Sequence, residues 1–265
     1  RHLRDLETGA DRGLVFDEDA AERAIGFFSY LHQRKGRWAG DPLVLQDWQA
    51  FVVGSIFGWK EANTGLRRFR KAYTEIGRKN GKTTLASGIG LYLLDFDGEA
   101  GAEVYCAATK KDQARLCWSE AMRMVQRTPS LKRRIKIVES RANLHVLATS
   151  SKFEALGADN DSMDGLNPHA YIIDELHAHK TRGIVDALET AAGAREQPLA
   201  FYITTAGVAK ESIYSEIHDY ARRVVEGIVE DDQWFVYIAT LDEGDDWTDP
   251  EVYVKANPSL GVTIQ

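Results

Sequence analysis

The sequence predicts an α/β fold, a mostly parallel sheet flanked by helices, and three observations lead to it. From about residue 69 onward, short apolar runs of strand composition alternate with longer stretches of helical periodicity. Those longer stretches can serve as the crossover helices that parallel pairing requires. Early in the alternation a glycine-containing loop, Gly77-Arg78-Lys79-Asn80-Gly81-Lys82-Thr83, joins an apolar run to an apolar helical stretch.

In chain order, residues 17–34 read as a helix: Asp17, Glu18 and Asp19 place negative charge at its start, and Ala21, Ala24, Ile25, Phe28 and Leu31 recur at helical spacing. A second helix is expected over 46–59, then a turn at Asn63-Thr64-Gly65. Strands are expected at 69–76, 103–108, 170–173 and 200–204, with helices at 82–96, 110–127 and 184–194 between them. Residues 134–138 and 144–148 read as a strand pair. A helix over 211–225 and a strand over 234–241 follow, then the polar turn Asp242-Glu243-Gly244-Asp245-Asp246.

The chain has 265 residues, 44% of them hydrophobic. That fills the core of one large domain, or of one domain with a small appendage. A net charge of −7 argues against a module that coats nucleic acid through many phosphate contacts, but permits a local basic patch. Cys106 and Cys117 match no zinc or redox spacing and read as reduced thiols. No apolar run approaches the roughly 20 residues of a membrane span, and no signal peptide opens the chain, so no membrane partner is expected. The first residue, Arg1, reads as the start of a trimmed or processed chain.

The loop Gly77–Thr83 carries the chemistry. Strand–loop–helix is the context in which main-chain N–H groups and a helix N-terminus cradle phosphates. Lys82 is expected on the β- and γ-phosphates of ATP and Thr83 on Mg²⁺, with Thr84 beside it. Glycine stands at position 77, one place later than the usual phosphate-loop pattern requires, with Ile76 in its stead. Arg78 is expected to contact the γ-phosphate and stabilise charge that develops during transfer.

Tyr171-Ile172-Ile173-Asp174-Glu175 reads as a strand ending in two carboxylates, with Asp174 for Mg²⁺ and Glu175 to orient and activate water. Crevices in open α/β sheets lie at that strand edge, so both motifs should meet there. His177 and His179 have no third ligand at useful spacing and read as loop or packing residues. The strand ending in Thr204-Thr205 reads as a γ-phosphate sensor. Gln49, with Trp48 beside it, is the candidate adenine reader, because an amide can donate and accept at once.

Taken in order, these motifs resemble the large terminase subunits of tailed bacteriophages. The resemblance rests on Trp48-Gln49, Gly77–Thr83, Tyr171–Glu175 and Ile203–Gly207. It also includes Leu156-Gly157-Ala158, Asp164-Gly165-Leu166, Asp246–Pro250 and Ala256–Gly261, and so covers nearly the whole chain. It implies an ASCE-type P-loop NTPase that hydrolyses ATP to drive double-stranded DNA into a procapsid. The implied partners are DNA, a portal protein and a small terminase subunit, in the host cytoplasm and at the portal vertex. It further implies a homo-oligomeric ring in the assembled motor and a monomer in isolation. Thr204 and Thr205 match the family's coupling motif, and Arg78 its loop arginine.

Where relatives carry a trans-acting arginine before the acidic strand, this chain reads Met163-Asp164-Gly165, leaving Arg195 and Arg141 as candidates. The expected organisation is a helical segment with the adenine motif (1–65), the ATPase core (66–207), and a subdomain or linker (208–265) leading to a nuclease domain whose acids are missing. Another P-loop translocase of helicase type, or a P-loop kinase, is the alternative. The first needs a second core with its own motifs, and DNA-stimulated turnover separates the motor from the second.

Overall fold

The computed structural model describes residues 1–33, 40–157, 165–179, 181–207 and 211–264. Helix α1 (His2–Thr8) leads to strand β1 (Leu14–Phe16), helix α2 (Glu18–Tyr30), helix α3 (Asp47–Gly58) and strand β2 (Trp59–Glu61), which pairs antiparallel with β1. The Asp17 side chain caps α2 by accepting from the Ala20 N–H, as its acidic start predicts.

The main sheet and its helices follow: β3 (Lys71–Glu75), α4 (Lys82–Asp95), β4 (Glu103–Ala108), α5 (Lys111–Arg127), α6 (Pro129–Arg134), β5 (Ile135–Val138), β6 (Asn143–Val146), β7 (Ser151–Gly157), β8 (Ala170–Asp174), α7 (Gly183–Ala191), β9 (Leu199–Thr204), α8 (Ile213–Val225), β10 (Trp234–Ile238) and the short α9 (Tyr253–Ala256). Its strand order is β10-β3-β9-β8-β4-β7-β6-β5. The pairs from β10 through β7 are parallel, and only the β7-β6-β5 flank is antiparallel. Strand β9 therefore lies between the phosphate-loop strand β3 and the acidic strand β8, the order of an ASCE-type P-loop NTPase.

Alternation along the strands sends side chains to two cores. Ala72 and Ile76 face a cluster with Phe28, Val52, Ile56, Ile89 and Trp118 from helices α2 to α5. Tyr73 faces the other cluster, with Leu188 of α7 and Ile217 of α8. Helix α4 is buried nearly all round, and its small residues permit this. A Cβ on Gly88 would stand 2.3 Å from the Phe28 ring. Helices α2 and α3 share a core with the sheet, and β10 extends the sheet beyond 207. Among the described helices none is long and apolar enough to cross a membrane.

Candidate active site at the carboxyl edge of the sheet

Strands β3, β9 and β8 end side by side, with Glu75 opposite Thr204 and Asp174 opposite Ile203. The topology thus delivers the phosphate loop, the threonine pair and the two acids to one edge. The loop turns through two left-handed residues, Lys79 at φ 66° and Gly81 at φ 82°. Gly81 also stands where α4 begins, and no side chain caps that helix. The N–H groups of its first turn are thus available to an anion.

Lys82 is buried and donates from Nζ to the main-chain oxygens of Ile76 (3.3 Å) and Gly77 (3.2 Å). Burial lowers its pKa, opposed by the negative charges of Glu175 and Asp174. Thr83 Oγ1 donates to Asp174 Oδ2 at 3.1 Å, joining loop and acidic strand directly. The other Asp174 oxygen is buried with no hydrogen-bond partner among the described residues. Burial, reinforced by the Glu175 charge, pushes Asp174 up to about 6. A buried carboxylate oxygen without a partner, beside a threonine hydroxyl, is the hard oxygen donor set that Mg²⁺ takes. The residues present therefore fit the ion.

Glu175 is a non-glycine residue at φ 56°, fixed by its N–H to the Ile203 carbonyl at 2.9 Å. Such conformations cost of order 1–3 kcal/mol and cluster where a side chain must be aimed. Thr204 is fully buried, and its Oγ1 accepts from the His177 N–H at 3.1 Å. Thr205 Oγ1 lies 3.3 Å from the same imidazole.

Asn80 is fully buried: its Nδ2 donates to the Gly77 carbonyl at 3.0 Å and its Oδ1 accepts from Ser259 N–H at 3.1 Å. Its side chain braces the loop. Trp48 is buried, stacks on Tyr237 and donates to Ser259 Oγ at 3.1 Å. Gln49 does reach the loop, since a Cβ on Gly81 would stand 3.3 Å from its Nε2. Its amide oxygen accepts from Gln46 N–H at the start of α3, which orients the amide and leaves one acceptor position and the Nε2 donor toward the loop. Arg78 and Lys79 are exposed, and Thr84 is half-buried in the first turn of α4.

The two arginine candidates separate. Arg195 precedes β9 at the opposite, amino edge and is held there by Asn167, the Gly101 carbonyl and Glu99. Those contacts hold it at the edge opposite this chain's own phosphate loop. Arg141 is exposed between β5 and β6 on the antiparallel flank, at the carboxyl-edge end of β7. Met163 and Asp164 lie outside the described residues.

The segment after β10 also takes part. Thr263 Oγ1 donates to the Lys79 carbonyl at 2.8 Å, and a Cβ on Gly77 would meet Asn257 Oδ1 at 2.6 Å. Residues 257–263 thus close over the loop, a role that sequence reading of Asn257-Pro258 missed. In the acidic turn, Lys255 Nζ ties Asp242 and Asp245 together at 2.6 and 2.9 Å, while Asp246 accepts from Thr248.

Comparison with known proteins gives the family. The sequence profile for the terminase large subunit, ATPase domain, matches residues 47–223, and that for the terminase large subunit, endonuclease domain, matches residues 228–265. The chain is 30% identical to the large terminase subunit of Enterobacteria phage HK97 over 247 residues, 91% of this chain and 46% of that protein. It is 46% identical over 104 residues to protein YmfN of Escherichia coli (strain K12), 38% of this chain and 22% of that one. The crystal structure of the HK97 bacteriophage large terminase superposes with a TM-score of 0.79 at 25% identity, covering 92% of this chain and 49% of that chain. The chain spans less than half the length of each of these relatives. With the ATPase profile spanning loop, acidic strand and threonine strand alike, this chain belongs to the terminase large subunits.

Proposed function

We propose that this chain hydrolyses ATP at the carboxyl edge of its sheet, and that the hydrolysis drives double-stranded viral DNA into a procapsid. The observation that carries the reading is the 3.1 Å bond from Thr83 to Asp174, which sets the phosphate loop against the acidic strand with Lys82 and Glu175 on either side. Bound at Thr83 and Asp174, Mg²⁺ would draw charge from the β- and γ-phosphate oxygens. Lys82 exchanges its two main-chain oxygens for phosphate oxygens. Arg78 adds positive charge at the γ-phosphate, and Glu175 orients a water in line and takes its proton. Thr204 and Thr205 register whether a γ-phosphate is present.

In this reading the partners are DNA, the portal protein, the small terminase subunit and further copies of the chain in a ring, working in the host cytoplasm at the portal vertex. A neighbour's arginine completes such sites and is worth about 10³–10⁵ in rate. The isolated chain is therefore a slow, monomeric ATPase, and Arg141 and Arg195 are the candidates for that arginine. The test is ATP turnover with and without double-stranded DNA and portal. Stimulation by both supports the motor. Turnover of tens per second by a proven monomer, indifferent to DNA, contradicts it.

A further inference from the structure

We infer that His177 is a positioning residue that ties the aim of Glu175 to the state of the Thr204-Thr205 strand end; this rests on Glu175 acting as the base. Thr204 Oγ1 accepts from the His177 main-chain N–H at 3.1 Å and gives its only proton to the Thr205 carbonyl at 2.9 Å. The imidazole Nδ1 lies 3.0 Å from the same hydroxyl. This one nitrogen stands near three oxygens: Thr204 Oγ1, Thr205 Oγ1 at 3.3 Å, and Glu175 Oε2 at 3.2 Å. Glu175 Oε2 is buried and has no hydrogen-bond partner among the described residues, so the ring is the polar neighbour that defines its place.

The His177 Cβ is closely packed: a Cβ on Gly207 would stand 3.0 Å from it. The backbone of Glu175 is fixed at both ends, by Ile203 before it and by the His177–Thr204 bond after it. A shift of Thr205 toward or away from a γ-phosphate therefore changes which oxygen the imidazole Nδ1 pairs with, and with it the orientation of the Glu175 carboxylate.

The test uses His177→Asn, His177→Ala, Thr204→Val and the double variant His177→Ala/Thr204→Val. Asparagine keeps a donor near the Nδ1 position, while alanine keeps none. Readouts are ATP turnover, affinity for ADP and for a non-hydrolysable ATP analogue, and Tm. We expect His177→Ala to lower turnover by about 10-fold or more while both affinities stay within about threefold, and the double variant to be no slower than the worse single. His177→Asn recovers most of the loss. Should His177→Ala not fold, His177→Gln, which moves the donor to the Nε2 position, carries the same expectation. Parental turnover in His177→Ala, multiplying losses in the double variant, or affinity falling in step with turnover would each overturn the inference. Parental turnover in Glu175→Gln would instead remove the base on which it rests.

Discussion

At the amino edge of the sheet Arg67, Asp97, His169, Glu99 and Arg195 form a paired ionic network; at the carboxyl edge Asp174 lies beside Glu175 and Lys82 without a paired cation of its own. Arg67 and His169 are fully buried. Arg67 donates to Asp97 Oδ2 at 2.6 Å and to the carbonyls of Phe69 and Gln197, and His169 Nε2 lies 2.8 Å from the same Asp97 oxygen. Burial alone would raise the Asp97 pKa, but the Arg67 charge and the His169 hydrogen bond outweigh it and hold it low. At the other edge burial wins and Asp174 rises. The two acids lie at opposite edges of one sheet. The difference is the cation: Asp97 has its own, whereas Asp174 has a threonine hydroxyl and one oxygen without a partner. One edge is built for stability, and the other is held ready for a ligand that brings positive charge.

Ways to break this contrast follow from it, and the largest effect belongs to Lys82. Lys82→Ala removes the buried cation of the loop, and ATP turnover should fall by about 10²–10³-fold or more. Turnover near the parental rate in a steady-state assay would place the phosphates elsewhere. On the amino edge the corresponding loss is structural. Asp97→Ala leaves Arg67 buried without its anion, at a cost of about 3–5 kcal/mol, and should lower Tm by about 10 °C. An unchanged melting curve would show that the network contributes little.

Arg195→Gln sharpens the contrast. Its side chain is mostly buried and bonds to Glu99, Gly101 and Asn167. Its loss should destabilise by about 1–3 kcal/mol while turnover per folded molecule, in the assembled ring as well, stays within about twofold. A ring that folds normally but no longer turns over would return Arg195 to the role of trans-acting arginine.

The smallest effect is a pH dependence at Glu75, which lies beneath the phosphate loop and has its own donors. Its carboxylate accepts from Tyr73 and Tyr214 (2.9 Å) and lies 3.0 Å from His218 Nδ1. Burial pushes Glu75 up, but the donors His218, Tyr73 and Tyr214 together bring it below its ordinary value, and the Glu75 hydrogen bond raises His218. The His218 contribution is complete below its ordinary value of 6.5 and is lost as pH rises through its raised folded value. The Glu75 contribution is complete above its ordinary value of 4.5 and is lost as pH falls through its lowered one. The Tm gap between the parent and His218→Gln should therefore be widest between these two values and shrink toward pH 9. A gap that grows with pH would contradict the pairing.

Much of this contrast was legible in the residues. Strand β4 and the start of α4 fall where hydrophobic period and loop chemistry predict them, and the acids and threonines end adjacent strands as the ASCE order requires. Strand β7, unassigned from sequence, alternates Lys152 and Glu154 with buried Phe153 and Ala155 and pairs with β4. What stays hidden in the sequence shares a cause: a side chain's contacts depend on neighbours far away along the chain. Asn80 sits inside the loop motif and meets Ser259, 179 positions on. Gln49 has the right chemistry for adenine, and its oxygen is oriented by Gln46. His177 lacked a metal-ligand pattern, and nothing local shows that β9 brings two hydroxyls to its ring. Arg195 sits beside the coupling strand in sequence, at its amino end, where Glu99, Asn167 and Gly101 hold it.

The most direct test of the account is Glu175→Gln, with nucleotide affinity and ATP hydrolysis measured on the same preparation in Mg²⁺. The amide keeps the shape of the side chain at its strained position but cannot take a proton. The account predicts affinity within about threefold of the parent and turnover lowered by about 10²–10⁴-fold. Hydrolysis at the parental rate by a well-folded Glu175→Gln protein would mean that the carboxyl edge, as described here, is not where ATP is cleaved.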